Sequence, residues 1–139
     1  MSASSKTIAL YGLALAIAGV CPSEVGSAEQ SEEEIVTVVI RERQFQPGET
    51  VLHTGQKTKL VLKNQDSELH TFAPLGLFAG ESFNISGNGA PEFAAEGLKR
   101  VIIPPDGLVE IRFRPAAPGA YRYICDMPGH HMSAMLLVE

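Results

Sequence analysis

From residue 35 onward, apolar residues come in short runs rich in Val, Ile, Leu and Thr, and nearly every run is closed by a Pro or Gly turn. That rhythm argues for a chain of short strands. Residues 35–43, 50–53, 58–63, 70–73, 101–103, 108–114, 120–125 and 135–138 read as strands. Turns fall at Pro47-Gly48, at 53–56, at 104–107 and at 115–119. In 108–114 the alternation is explicit: Val109, Ile111 and Phe113 share one side, while Glu110, Arg112 and Arg114 share the other. Short strands with turns between them predict an all-β antiparallel sandwich. Residues 76–100 break the rhythm. Gly80, Gly87, Gly89, Pro91 and Gly97 mark an irregular insert, in which 91–96 could form a helical turn ending at Gly97. No internal repeat or second domain is visible, and 139 residues suit a single domain.

The chemistry concentrates near the C-terminus. Residues 121–135 hold Cys125, His130 and His131 together with Met127, Met132 and Met135, which are three of the chain's four methionines. A soft thiolate, a borderline imidazole and a weak thioether suit copper passing between Cu(I) and Cu(II). Zinc prefers closed sets of Cys, His and carboxylate. Four residues separate Cys125 from His130 and four more separate His130 from Met135. Pro128-Gly129 turns the chain inside the first interval. A strand delivering Cys125, a turn returning His130 and a further turn presenting Met135 would aim three side chains at one point. Tyr121, Tyr123 and Cys125 share strand parity and hence one face. A buried, inert Cys125 is the plainer alternative, but it leaves the surrounding histidines and methionines unexplained.

The pattern Tyr-x-Tyr-x-Cys-x-x-Pro-Gly-His-x-x-x-x-Met resembles the copper loop of the cupredoxins, the small blue (type 1) copper proteins. That family takes a further histidine from upstream, after an Asn that ends an apolar strand. Here Leu60-Val61-Leu62-Lys63-Asn64 is followed by His70. Phe45-Gln46-Pro47-Gly48 with Gly55, and Arg114-Pro115 through Gly119-Ala120-Tyr121, extend the likeness over residues 35–139. The resemblance implies a Greek-key sandwich and one copper per chain, with His70, Cys125, His130 and, axially, Met135 as ligands. His131 and His53 are expected at the surface. Met127 and Met132 are expected to form apolar surface beside the site. With Pro74, Leu75 and Pro128 they would make the patch through which a partner reaches the edge of His130. Asn64 either pins the loop carrying His70 or is a plain turn residue. Two residues depart from the family pattern. Ala134 stands where Gly often precedes the axial methionine, and Asp126 follows the cysteine where smaller residues are commoner. A carboxylate facing copper would favour Cu(II), although alternation turns Asp126 outward. Glu68 and Asp126 stay open as extra oxygen ligands.

The start of the chain reads as a leader and not as fold. Lys6 precedes an apolar run over 8–20, and Gly26-Ser27-Ala28 offers a cleavage site before Glu29. The run is short for a membrane span. The expected organisation is a signal peptide over 1–28, an acidic linker over 29–34 and a copper-binding domain over 35–139. Ala18-Gly19-Val20-Cys21 allows a lipoprotein alternative, and an uncleaved anchor is a further one. Without the leader, Cys125 is the one cysteine and has no disulfide partner. Metal coordination would then protect the thiolate. A net charge of −5 and the lack of any basic run argue against a nucleic-acid partner.

The expected function is periplasmic one-electron carriage between redox proteins, by a monomer. Membrane contact arises only through a lipidated Cys21 or an uncleaved signal. No Ser-His-Asp or paired-carboxylate arrangement argues for an enzyme. One alternative is copper handling (chaperone, storage or resistance), for which Met127, His131 and Met132 would offer a Cu(I) transfer surface. Another is an accessory copper domain of an oxidase or reductase.

Overall fold

The structure, a computed structural model, describes residues 31–139 together with Gly12 and Gly19. Apart from those two glycines, the expected signal peptide lies outside the described residues, as does Cys21. Among the described residues no helix is long and apolar enough to cross a membrane. Eleven strands run among them: β1 (Glu34–Arg41), β2 (Gln44–Gln46), β3 (Glu49–Leu52), β4 (Thr58–Asn64), β5 (His70–Pro74), β6 (Phe83–Gly87), β7 (Ala90–Ala94), β8 (Gly97–Ile103), β9 (Leu108–Phe113), β10 (Gly119–Cys125) and β11 (Met132–Val138). One sheet has the order β2-β1-β4-β9-β6 and the other β3-β11-β10-β5-β8-β7.

The expected sandwich forms because one parity of each strand is apolar. In β9, Val109, Ile111 and Phe113 are buried while Glu110 and Arg112 stay partly exposed. In β10, Tyr123 and Cys125 are buried and Arg122 is exposed. Ile40, Leu60, Leu62, Val109 and Ile111 from the first sheet share a core with Phe72, Val101, Ile103, Tyr123 and Leu136 from the second. Each such burial contributes roughly 1.5–3 kcal/mol, against about 0–1 kcal/mol for an exposed ion pair. The core therefore holds the sheets together.

Two expectations are corrected. The sheets are mixed, not purely antiparallel, because β1 pairs with β4 and β11 with β3 in parallel. The cause is β3. After the β1–β2 hairpin the chain crosses to the other sheet for β3 and crosses back, so β4 returns beside β1 running the same way.

Residues 76–100 are likewise no irregular insert. They hold β6, β7 and the start of β8, and 91–94 is strand where a helical turn was expected. Phe78 is buried, with its ring 4.8 Å from Phe113 and 5.2 Å from Phe83. The glycines that suggested disorder of the pattern serve the crossing between sheets. At Gly87 (φ +108°) a Cβ would lie 2.1 Å from the Leu108 carbonyl oxygen, and at Gly89 one would lie 2.4 Å from Val109 Cγ2. Glycine alone lets the backbone pass this close.

Tyr123 is 1% exposed, with its ring 4.8 Å from Phe45 and 5.0 Å from Phe72. Its hydroxyl has no hydrogen-bond partner among the described residues, and burial pushes the phenol pKa well above its ordinary value. A buried, unpaired hydroxyl is destabilising. Tyr123→Phe keeps the ring contacts and should raise the unfolding free energy by about 1 kcal/mol. Urea denaturation checks this, and a comparable loss of stability would mean the hydroxyl is paired.

Candidate metal centre

The site lies at one end of the sandwich, where β4, β5, β10 and the start of β11 meet. β4 ends at Asn64, which is 2% exposed. Its side-chain NH2 donates to the carbonyls of Glu68 (2.8 Å), Pro104 (3.0 Å) and Ile103 (3.2 Å), and its Oδ1 accepts the Asp66 N–H at 3.0 Å. Asn64 therefore ties the 65–69 loop to the end of β8 and fixes where β5 begins. His70, the first residue of β5, is fully buried.

Cys125 ends β10 and pairs directly with Met132 at the start of β11. Residues 126–131 connect them. Within that loop the His130 N–H donates to the Met127 carbonyl at 3.2 Å, so Met127-Pro128-Gly129-His130 is a tight turn. Proline suits its second position, and Gly129, at φ +79°, suits the positive-φ third position. His131 also takes a left-handed φ, +44°, and is exposed, as expected from the sequence. The turn swings His130 back beside Cys125.

Three donor atoms converge. Cys125 Sγ lies 3.5 Å from His130 Nδ1 and 3.8 Å from His70 Nδ1, and the two Nδ1 atoms are 3.1 Å apart. The point equidistant from all three, the circumcentre of that triangle, is about 2.0 Å from each. That matches metal–nitrogen bonds of about 2.0–2.1 Å and falls slightly short of a metal–sulfur bond of about 2.3 Å. The outer nitrogens point the other way. His70 Nε2 is 2.8 Å from Asp66 Oδ2, and His130 Nε2 is 3.9 Å from Glu68 Oε2. A proton on His70 Nε2, bonded to Asp66, leaves the His70 Nδ1 lone pair aimed at the thiol, and His130 presents its Nδ1 to the same point. Convergent lone pairs repel unless a cation lies among them. The residues present therefore fit a metal ion.

The fourth position departs from expectation. Along β11, Met132, Ala134, Leu136 and Val138 are buried, whereas Ser133 and Met135 belong to the outward parity. Met132 is 4% exposed and sits opposite Cys125 on the same face. Met135 pairs with Arg122 and Glu49, three residues further along and on the other face. Three residues of strand span roughly 10 Å, so the thioether near the cluster is that of Met132. The sequence signal for this was the inward run Met132-Ala134-Leu136-Val138. It was hidden because Met135 and Leu137 make the other parity apolar too.

The remaining contacts tune the sulfur. The Thr71 N–H donates to Cys125 Sγ at 3.4 Å. The Thr71 hydroxyl donates to Asp126 Oδ1 at 2.6 Å and accepts the Asp126 N–H at 2.9 Å. Its single proton is thus committed to Asp126, although Sγ lies within 3.6 Å. Asp126 is held a second time by Arg100 Nη1, at 3.1 Å, so its carboxylate is turned from the donor triangle toward Thr71 and Arg100. His53 lies apart from the cluster, exposed and beside Glu34.

A family model described as a cupredoxin-like domain matches residues 8–138. Comparison with curated proteins finds no match. Among solved structures, auracyanin B is 21% identical over 80% of this chain and 91% of its own, with a TM-score of 0.59. Auracyanin A, described as a "blue" copper protein from Chloroflexus aurantiacus, is 20% identical over 78% of this chain and 100% of its own, with a TM-score of 0.55. Auracyanin from Roseiflexus castenholzii is 18% identical over 76% of this chain and 96% of its own, with a TM-score of 0.56. At these identities the likeness is one of fold.

Proposed function

The chain belongs to the family of cupredoxin-like domains, and from that membership we propose that it is an exported one-electron carrier in which His70, Cys125, His130 and Met132 would hold one copper. The observation that carries this reading is the convergence of one thiol sulfur and two Nδ1 atoms about a single buried point. When bound there, copper supplies the Cu(I)/Cu(II) couple.

The chain's own residues keep that couple cheap to cycle. Asn64 fixes the loop before His70, the Pro128-Gly129 turn fixes His130, and the β10–β11 register fixes Cys125 against Met132. None of these hydrogen bonds and pairings uses Cys125 Sγ or either Nδ1, so a change of oxidation state does not require them to reorganise. The Thr71 N–H disperses charge on the thiolate. Partners are redox proteins, and export rests on the basic-apolar leader with its small-residue cleavage site.

Copper handling is less well supported. With Met132 in the core, Met127 and His131 are what remain of the proposed transfer surface. Cyclic voltammetry of the copper-loaded domain separates the two. A carrier gives a reversible one-electron wave and keeps its copper in both states. Loss of Cu(I) to a competing chelator within seconds, with an irreversible wave, would support the handler.

A further inference from the structure

The turn between β1 and β2 is unusual for its sequence. Two-residue hairpin turns with both residues at positive φ favour Asn-Gly or Gly-Gly. Here the two residues are Glu42 (φ +53°) and Arg43 (φ +55°). The strain is offset by a neighbour. Asp66 Oδ1 accepts the Glu42 N–H at 2.7 Å and Asp66 Oδ2 accepts the Arg43 N–H at 3.0 Å. The same Oδ2 faces His70 Nε2 at 2.8 Å. A strained hairpin tip is thus tied through one carboxylate to a residue of the donor triangle.

The tip delivers a cation. The Arg43 guanidinium grips Glu68 with two bonds, Nε to Oε1 at 2.5 Å and Nη2 to Oε2 at 2.8 Å. Glu68 is also fixed by its backbone, whose carbonyl accepts from Asn64. So held, its carboxylate stands 3.8 Å from His70 Nε2 and 3.9 Å from His130 Nε2. It faces the outer nitrogens of both imidazoles at once. Strained backbone persists where the surroundings over-determine it, and such sites cluster near function.

We propose that Arg43 and Glu68 form a charge-balanced clamp behind the two imidazoles, in which Glu68 is a positioning residue for the histidines and Arg43 sets how much of its negative charge the metal feels. The proposal rests on the copper reading above. Glu68 alone favours Cu(II) over Cu(I), because the higher charge gains more from a nearby anion. Arg43 offsets that bias. The local charge of the pair is zero in the native protein, positive in Glu68→Gln, negative in Arg43→Met and zero again in the double variant.

The test is the reduction potential of the copper-loaded wild type and these three variants, with a visible spectrum and a thermal melt of each. Glu68→Gln should lower the Cu(II)-to-Cu(I) affinity ratio by up to about tenfold, a rise in potential of about 59 mV per tenfold. Arg43→Met should move the potential in the opposite direction. The double variant should return most of the way to wild type. Structural loosening alone would not produce opposite signs that cancel. Shifts of the same sign, a double variant displaced further than either single, or no shift at all would overturn the clamp. Should the wild type fail to form a thiolate–Cu(II) band, the copper reading fails instead, and the spectrum shows which has failed.

Discussion

Met132→Leu is expected to raise the reduction potential by a large amount while the protein stays copper-loaded and coloured; Met135→Leu is expected to leave the potential nearly unmoved. Axial thioethers bind weakly and tune the couple more than they hold the metal. Leucine fills similar volume, which a core position beside Cys125 tolerates at a cost usually under about 1.5 kcal/mol. It offers no lone pair to the harder Cu(II), so the reduced state gains. A shift equivalent to about tenfold or more in the affinity ratio, or ~59 mV per tenfold, is expected at Met132. Met135 lies on the outward parity of β11, opposite Arg122 and Glu49. Voltammetry of the two single variants decides between them. A large shift at Met135 with none at Met132 would mean that the β10–β11 register is wrong by an odd number of residues, since a one-residue slip exchanges the two faces.

Cys125→Ser is expected to remove the visible charge-transfer band altogether. Thiolate donation to Cu(II) gives blue copper its colour, and an alcohol is a far poorer donor at neutral pH. The fold should survive. The replacement is smaller, and the Thr71 N–H that reaches Sγ at 3.4 Å can reach a hydroxyl with slight adjustment. Far-ultraviolet circular dichroism close to wild type, with no visible band after copper addition, is the expected pair of results. Residual copper binding through His70 and His130 would be colourless by comparison.

Much of the architecture was legible because the two faces of several strands differ in chemistry. Val109, Ile111 and Phe113 against Glu110 and Arg112 leave β9 one way to lie. That His70, Cys125 and His130 come together is expected through the family resemblance of the Cys125–His130 spacing around Pro128-Gly129 and of a histidine following Asn64; the sequence leaves open whether Asn64 itself ties down the loop before His70. Met132 as the nearby thioether was not legible. Both parities of β11 are apolar, so its facing depends on the pairing of Cys125 with Met132, which is a property of two strands and not of either one. The strands of residues 76–100 were hidden for a related reason. Gly87 and Gly89 are there to admit Leu108 and Val109 of a strand some twenty residues on, and such close approach leaves no local trace. Glu68 and Asp126 were read as possible oxygen ligands. Arg43 and Arg100, far away in sequence, bind each of them and give them other work.

On this reading one chain holds a single copper through Cys125 and the two imidazoles. Titration of the metal-free domain with Cu(II), followed by visible absorption, tests it most directly. An intense band should grow linearly to one equivalent per chain and then stop, and it should be missing from Cys125→Ser under the same conditions. A wild-type protein that shows no intense band, saturates at another stoichiometry, or shares its colour with the serine variant would contradict the claim.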